Sequence, residues 1–253
     1  MQAEIKSKGG INMSSVFSAN AWQKVWTYRE TFLLGLFNTV QTALFAVVLS
    51  LALGVLFGLM ATSGKKPLRI ISRIYVEVIQ NTPLLLQICF LYYALAFSGH
   101  SLGIIVTGIL SIGIYHGAYM SEVFRAGIEA IPKGQFEAAQ SQGFGYLERM
   151  FYIILPQSIK IILPPMVNQV VNLIKNTSCL YIIGGADLIS LTYSFVTGAT
   201  TGGAYAPAYI VCGILFFIIC YPLSKLASVW ELNLKKRDSR IQVVKVVREK
   251  VGE

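Results

Sequence analysis

The sequence predicts an all-α integral membrane protein, and three observations carry that fold class. Hydrophobic residues make up 55% of the 253-residue chain and charged residues only 13%, whereas an average soluble domain is charged at about a quarter of its positions. Residues 31–64 contain no charge at all, far beyond the ~18 apolar residues that read as a spanning helix. The basic residues, finally, cluster in alternate connections between apolar runs. The uncharged run excludes an unusually apolar soluble enzyme. Its length, and the polar stretch 1–30 ahead of it, argue against a cleaved signal peptide.

Taken in order, the spans fall at roughly 32–61, 74–96, 102–121, 150–174 and 205–224, each near the length a bilayer requires. They divide the chain into an N-terminal polar tail (1–30), a transmembrane domain (31–230) and a basic tail (231–253). The connection after the first span holds Lys65, Lys66, Arg69 and Arg73, and the one after the third holds Arg125, Lys133 and Arg149. The intervening connections, "FSGHS" and "GGADLISLTYSFVTGATTGGAYAP", hold no basic residue. Basic residues mark the cytoplasmic side, so the alternation places the N-terminus outside and the C-terminus in the cytoplasm. Lys24 and Arg29 disagree with this but are outweighed by the other four segments. The net charge of +9 lies beside spans and in the tail, which suits membrane orientation better than nucleic acid. The tail suits a solvated helix or contact with anionic membrane lipid.

One cytoplasmic connection is unlike the others. "GQFEAAQSQGFGYLERMFYIILP" (134–156) is a short polar insert between apolar runs. Pro132 and Gly134 are expected to break the preceding helix, and "QFEAAQSQ" to form about two turns before Gly143 stops them. Phe136, Ala139, Gln140 and Gly143 then share a face, and Gly143 and Gly145 are free to take positive φ. A small stiff helix bridging two spans can dock into another protein's groove; the plainer alternative is an ordinary surface loop.

Glu137-Ala138-Ala139, Gly143 and Ile154-Leu155-Pro156 resemble the EAA motif of ABC importer membrane subunits. "VEVIQNTPLLLQICFLYY" (76–93), "GAYMSEVFRAGIEAIPKGQ" (117–135) and "LPPMVNQVVNLIKNTS" (163–178) resemble the polar amino acid permease branch of that family. The resemblance covers roughly residues 30–230 and implies a permease subunit of a bacterial-type cytoplasmic membrane. It implies that the loop 132–147 is a coupling helix seated in a cytoplasmic P-loop ATPase, two of which act per complex and bind ATP and Mg. It further implies a second permease copy or close paralogue, and an external binding protein that delivers the amino acid substrate. Gly134, Phe136, Glu137, Ala138, Ala139 and Gly143 would then be ATPase-coupling residues. Where relatives often carry a capping residue such as Ser, this chain has Gly145, so a looser turn is expected there.

For the pathway itself, ionisable groups in spans are functional candidates by default. Glu122 and Arg125 stand three apart and can pair on one helix face, as a gate or a structural tie. Glu77 is a second acid at this depth. Asn81 and Thr82 precede Pro83, whose ring removes a backbone donor, so a broken helix with exposed carbonyls is expected there. Asn168 and Asn172 lie four apart on one face, suited either to an amino acid's carboxylate and amine or to joining helices. Gly54/Gly58 and Gly113/Gly117 have the spacing for close helix approach, within the subunit or at a dimer seam.

Other classes are less well supported. The only Gly-Lys, Gly64-Lys65, lacks the rest of a P-loop, so no cofactor is expected in this chain and it is not catalytic alone. Cys89, Cys179, Cys212 and Cys220 are scattered singly, and His100 and His116 have no partner at metal-ligand spacing. His116 is therefore expected to pack on aromatics or bridge helices. No clustered nucleophile or selectivity filter suggests an intramembrane enzyme or an ion channel. A channel, or an exporter-type ABC subunit for another small solute, remains the alternative function.

Overall fold

The computed structural model describes residues 18–201 and 203–251, with side chains through Leu234, and every regular element among them is helical. α1 (Ala19–Thr27) starts at Ser18, whose hydroxyl accepts the Ala21 N–H at 3.3 Å. Its Ala21 and Val25 share a core cluster with Phe32, Phe195 and Ala208. The stretch assigned to a polar tail is thus a packed helix from Ala19; the tail as far as residue 17 lies outside the described residues.

α2 (Arg29–Ala61), α5 (Ile104–Glu129), α7 (Tyr146–Ile183) and α9 (Tyr205–Val251, apolar to Leu234) are long and apolar enough to cross a bilayer. α6 (Lys133–Ser141) and α8 (Leu188–Thr197) are short. α7 carries a π-turn at Arg149–Ile154 and tightens to a 3-10 helix over Thr177–Ile183. The wider π-turn sits just before Pro156, which has no N–H to donate and whose ring crowds the preceding turn. α9 runs unbroken into the basic tail, whose side chains beyond Leu234 are outside the described residues.

The predicted second span is α3 (Lys66–Gln80) and α4 (Leu84–Phe97), bent by 99° at Asn81-Thr82-Pro83. Counted as one span, the pair brings the total to five. The break is where the sequence puts it, but its carbonyls are not left open. Gln87 Nε2 donates to the Ile79 and Thr82 carbonyls at 3.0 and 3.3 Å, and to Thr82 Oγ1 at 2.7 Å. The Asn81 amide donates to the Glu77 carbonyl at 2.7 Å, and Thr82 Oγ1 to that of Val78 at 2.9 Å. Irregular backbone at membrane depth needs such partners.

The glycine pairs act within the subunit. A Cβ on Gly54 would lie 2.7 Å from Met120 Cβ, and one on Gly58 2.6 Å from Phe124 Cβ. Conversely, Gly113 faces Leu49 and Gly117 faces Leu53, each too close for a Cβ. α2 and α5 therefore interlock in both directions. α3 is tied onto this seam: Tyr75 OH donates to the Ile114 carbonyl at 2.6 Å, and Ser72 to that of Phe57 at 2.7 Å. Asp187 caps α8 by accepting from Ile189 N–H at 3.0 Å and from the Ser190 hydroxyl. Leu188 N–H donates to Thr39 Oγ1 at 3.0 Å, which holds this connection against α2.

Gly54→Val should force α2 and α5 apart and cost about 1–3 kcal/mol or more, read as a lower unfolding temperature of the detergent-solubilised protein. Gly213→Val, with nothing within 4 Å of its added Cβ, should leave that temperature nearly unchanged.

Candidate functional site

Three places gather the candidate residues. The first is the loop around α6. α5 ends at Ala130 and Pro132 caps α6, so Gly134 lies inside the new helix and does not help to break the old one. Gly143 takes φ +85° and closes α6. Its N–H donates to the Gln140 carbonyl at 3.0 Å, and Phe144 N–H to that of Ala139 at 3.2 Å, the paired bonds of a Schellman ending. Gly145 has φ −64°, in the ordinary region, and its N–H donates to the Glu148 carboxylate at 2.9 Å. The turn expected to be loose is capped from the far side.

The six residues that the resemblance implies for ATPase coupling divide. Ala139 is 2% exposed and the half-buried Phe136 packs with Ile128, Ile131, Met150 and Ile154. These two hold α6 against the ends of α5 and α7. Gly134, Glu137, Ala138 and Gly143 are exposed. Arg149 adds a tether, donating to the Phe136 carbonyl at 3.4 Å and to Gln140 Oε1 at 3.1 Å.

The second place is a cavity of about 460 Å³ between α3 and α5, lined among others by Arg69, Arg73, Glu77, Gln80, Glu122 and Arg125. Arg125 pairs with Glu122 at 2.7 Å, as its spacing predicts, and also with Glu129 at 2.6 Å. Arg73 pairs with Glu77 at 2.7 Å. Each pair stays within one helix, and among the described residues no ion pair crosses the cavity. Such half-exposed pairs contribute little to stability. The link that does cross is neutral: Gln80 donates to the Ala118 carbonyl at 3.3 Å. In the sequence Arg69 and Arg73 serve only as topology markers; the structure adds them to this cavity.

The third is a cavity of about 410 Å³ between α5 and α7, lined by Tyr115, His116, Tyr119, Gln169, Asn172, Lys175 and Asn176. His116 bridges the helices as expected, with Nε2 3.0 Å from the Asn176 amide nitrogen and its ring edge-on to Tyr115. The two tyrosine hydroxyls lie 3.1 Å apart. Both Asn168 and Asn172 are exposed, and of the two only Asn172 lines this cavity. Asn81 and Thr82 sit elsewhere, at the α3–α4 break, where Thr82 borders an apolar groove of about 370 Å³. Tyr115, Tyr119 and Gln169 are missed by the sequence reading. The signal was the polar set 169, 172, 176 at helical spacing, one residue out of step with the 168/172 pair.

A family model described as "Binding-protein-dependent transport system inner membrane component" matches residues 50–229. The chain belongs to this family, and is a multi-pass permease of a bacterial inner membrane. Among its relatives, the probable glutamine ABC transporter permease protein GlnM of Bacillus subtilis (strain 168) is 37% identical over 202 residues, spanning 80% of this chain and 92% of that one. The L-cystine transport system permease protein TcyB of the same strain is 30% identical over 202 residues, spanning 80% and 86%. A solved amino acid ABC transporter with histidines superposes with a TM-score of 0.75 at 32% identity, over 84% of this chain and 98% of that one. The inward-facing MetNI methionine ABC transporter, at TM-score 0.60 and 17% identity over 81% and 97%, shares the fold. These relatives support the resemblance drawn from the motifs: an ABC importer membrane subunit of the polar amino acid uptake type.

Asn176→Ala should remove one of the contacts that tie the buried His116 ring to α7 and lower stability by about 1–3 kcal/mol. Asn168→Ala should stay within about 0.5 kcal/mol of the parent. Thermal unfolding of the solubilised protein in both variants checks this.

Proposed function

We propose that this chain forms half of the translocation pathway of an ATP-driven importer for polar amino acids, and that α6 is where a separate ATPase grips it. The observation that carries this is α6 itself. It is a short helix outside the spans, fixed from beneath by Phe136, Ala139 and Arg149, with Glu137 and Ala138 turned outward. A rigid, exposed, slender helix is what a groove on another protein can hold. The names of the relatives support the substrate class, and GlnM supports glutamine as the first amino acid to try.

In this reading the N-terminus is external, while α6 and the C-terminus are cytoplasmic, as the placement of basic residues supports. Two P-loop ATPase subunits hold ATP and Mg, a second copy or paralogue of the permease completes the pathway, and an external binding protein loads it. Closure of the ATPases pulls on both coupling helices, and the intrahelical ion pairs at the α3–α5 cavity are free to re-pair across it as the permease changes state. The chain's own contribution is binding, shape and transmission of force.

The test is co-purification from native membranes followed by mass spectrometry. A P-loop ATPase at roughly equal stoichiometry is the expected result, and a chain that repeatedly comes alone under conditions that preserve known complexes overturns the reading. Ala138→Arg, on the outward face, should reduce ATPase recovery by about thirtyfold, the loss of an interface hot spot worth ~2 kcal/mol, with the unfolding temperature unchanged. Ala139→Arg should instead destabilise the permease, because that position is buried.

A further inference from the structure

We propose that the groove between α7 and α9 holds an anionic phospholipid, its phosphate on the Lys160 ammonium and its upper acyl chain against Trp230 and Leu163. The site needs only the membrane-spanning chain and is independent of α6 and of any ATPase.

The groove, about 250 Å³, is lined by Lys160, Leu163 and Pro164 from α7 and by Trp230, Asn233 and Leu234 from α9. Each set has i, i+3, i+4 spacing, so one face of each helix meets the other. Its depth can be read from two directions. Gly54 of α2 stands at Met120 of α5 and Gly58 at Phe124, so the two helices run parallel. The end of the uncharged run, at residues 62–64, is then level with the last residues of α5. Gly127 there meets Ile162 of α7, and His116 meets Asn176. α7 therefore runs the opposite way, and Lys160 falls at the level of that charge boundary. Independently, α9 is uncharged over 205–224 and reaches its first charge at Lys225, so Trp230 lies just past it. Both place the groove where hydrocarbon gives way to headgroups, on the side of the membrane where α6 lies.

The wall has the chemistry of a lipid seat. Among the described residues Lys160 is exposed and makes no ion pair. No acid lines the groove, Glu231 next to Trp230 included. A phosphate supplies the acceptors that this ammonium lacks, and tryptophan is enriched at the headgroup level. Lys225 lies ahead of the groove and Lys235, Lys236 and Arg237 follow it; basic clusters beside a span attract anionic lipid. Leu163, one turn toward the bilayer centre, is exposed and offers an apolar track for a chain. Asn233, one turn the other way, can donate to a phosphate or accept from a headgroup hydroxyl. Pro164 has no N–H to donate to the Lys160 carbonyl, which leaves an acceptor on the same turn. The order along the groove, apolar then indole then polar, follows a phospholipid from chain to headgroup. A free phosphate would leave Leu163 and the indole bare.

Trp230 is also the reporter. With Trp22→Phe and Trp26→Phe it is the single tryptophan of the full chain. The protein is reconstituted in phosphatidylcholine vesicles containing increasing brominated phosphatidylglycerol or, in parallel, brominated phosphatidylcholine, and Trp230 fluorescence is followed. Half-quenching should need about fivefold less brominated phosphatidylglycerol than brominated phosphatidylcholine, the scale of one basic residue at an anionic surface. Lys160→Gln should bring the two lipids within about twofold of each other, and Lys160→Arg should keep the preference. Equal quenching of the parent by both lipids overturns the site. So does an unchanged preference in Lys160→Gln, which assigns the attraction to the basic tail at large. Absence of quenching by either lipid also overturns it, because protein then covers the groove.

Discussion

The interlock of α2 with α5 is the contact on which the rest of the structure depends. Lipid tails are as apolar as leucine side chains, so helices in a bilayer gain little from merely hiding hydrophobic surface from one another. What holds them is close fit. Gly54 and Gly58 open α2 to Met120 and Phe124, while Gly113 and Gly117 open α5 to Leu49 and Leu53. Because each helix is both ridge and groove, sliding either by a turn would put side chain onto backbone. α3 is registered on this pair through Ser72, Tyr75 and Gln80, and the 99° bend follows from where α3 then has to stop.

The second constraint is that backbone groups in hydrocarbon need partners. The irregular points of the chain meet it with side chains, from nearby in sequence for Gln87 at the bend, Asp187 ahead of α8 and Glu148 after α6, and from α2 for Thr39, which accepts from Leu188 N–H. These places look like weaknesses in a sequence and are closed in the fold. Flexibility there would have to come from exchanging these bonds.

Legibility followed range. The long apolar runs, the break before Pro83, the Glu122–Arg125 pair and the helix ending at Gly143 were all readable, because each is set by residues within a few positions of one another. What was not readable depends on which way a helix is turned. Spacing put Phe136 and Ala139 on one face but did not say that this face looks inward. It paired Asn168 with Asn172, although the cavity takes Gln169, Asn172 and Asn176. A rotation of one residue, about 100° on a helix, separates the two sets, and only packing against α5 fixes it. Gly134 failed for a local reason: Pro132 supplies the stop and glycine is tolerated in the first turn that follows.

The cluster of Ile128, Ile131, Met150, Ile154 and Phe136 joins the ends of α5 and α7 to the short helix beneath them. Further along, these same two helices form the opposing walls of the cavity that holds His116 and Lys175. They behave like the two blades of a pair of shears with a common pivot. A displacement applied at that pivot cannot reach one blade without the other, so the gap between the two helices is tied to the position of the short helix at their ends.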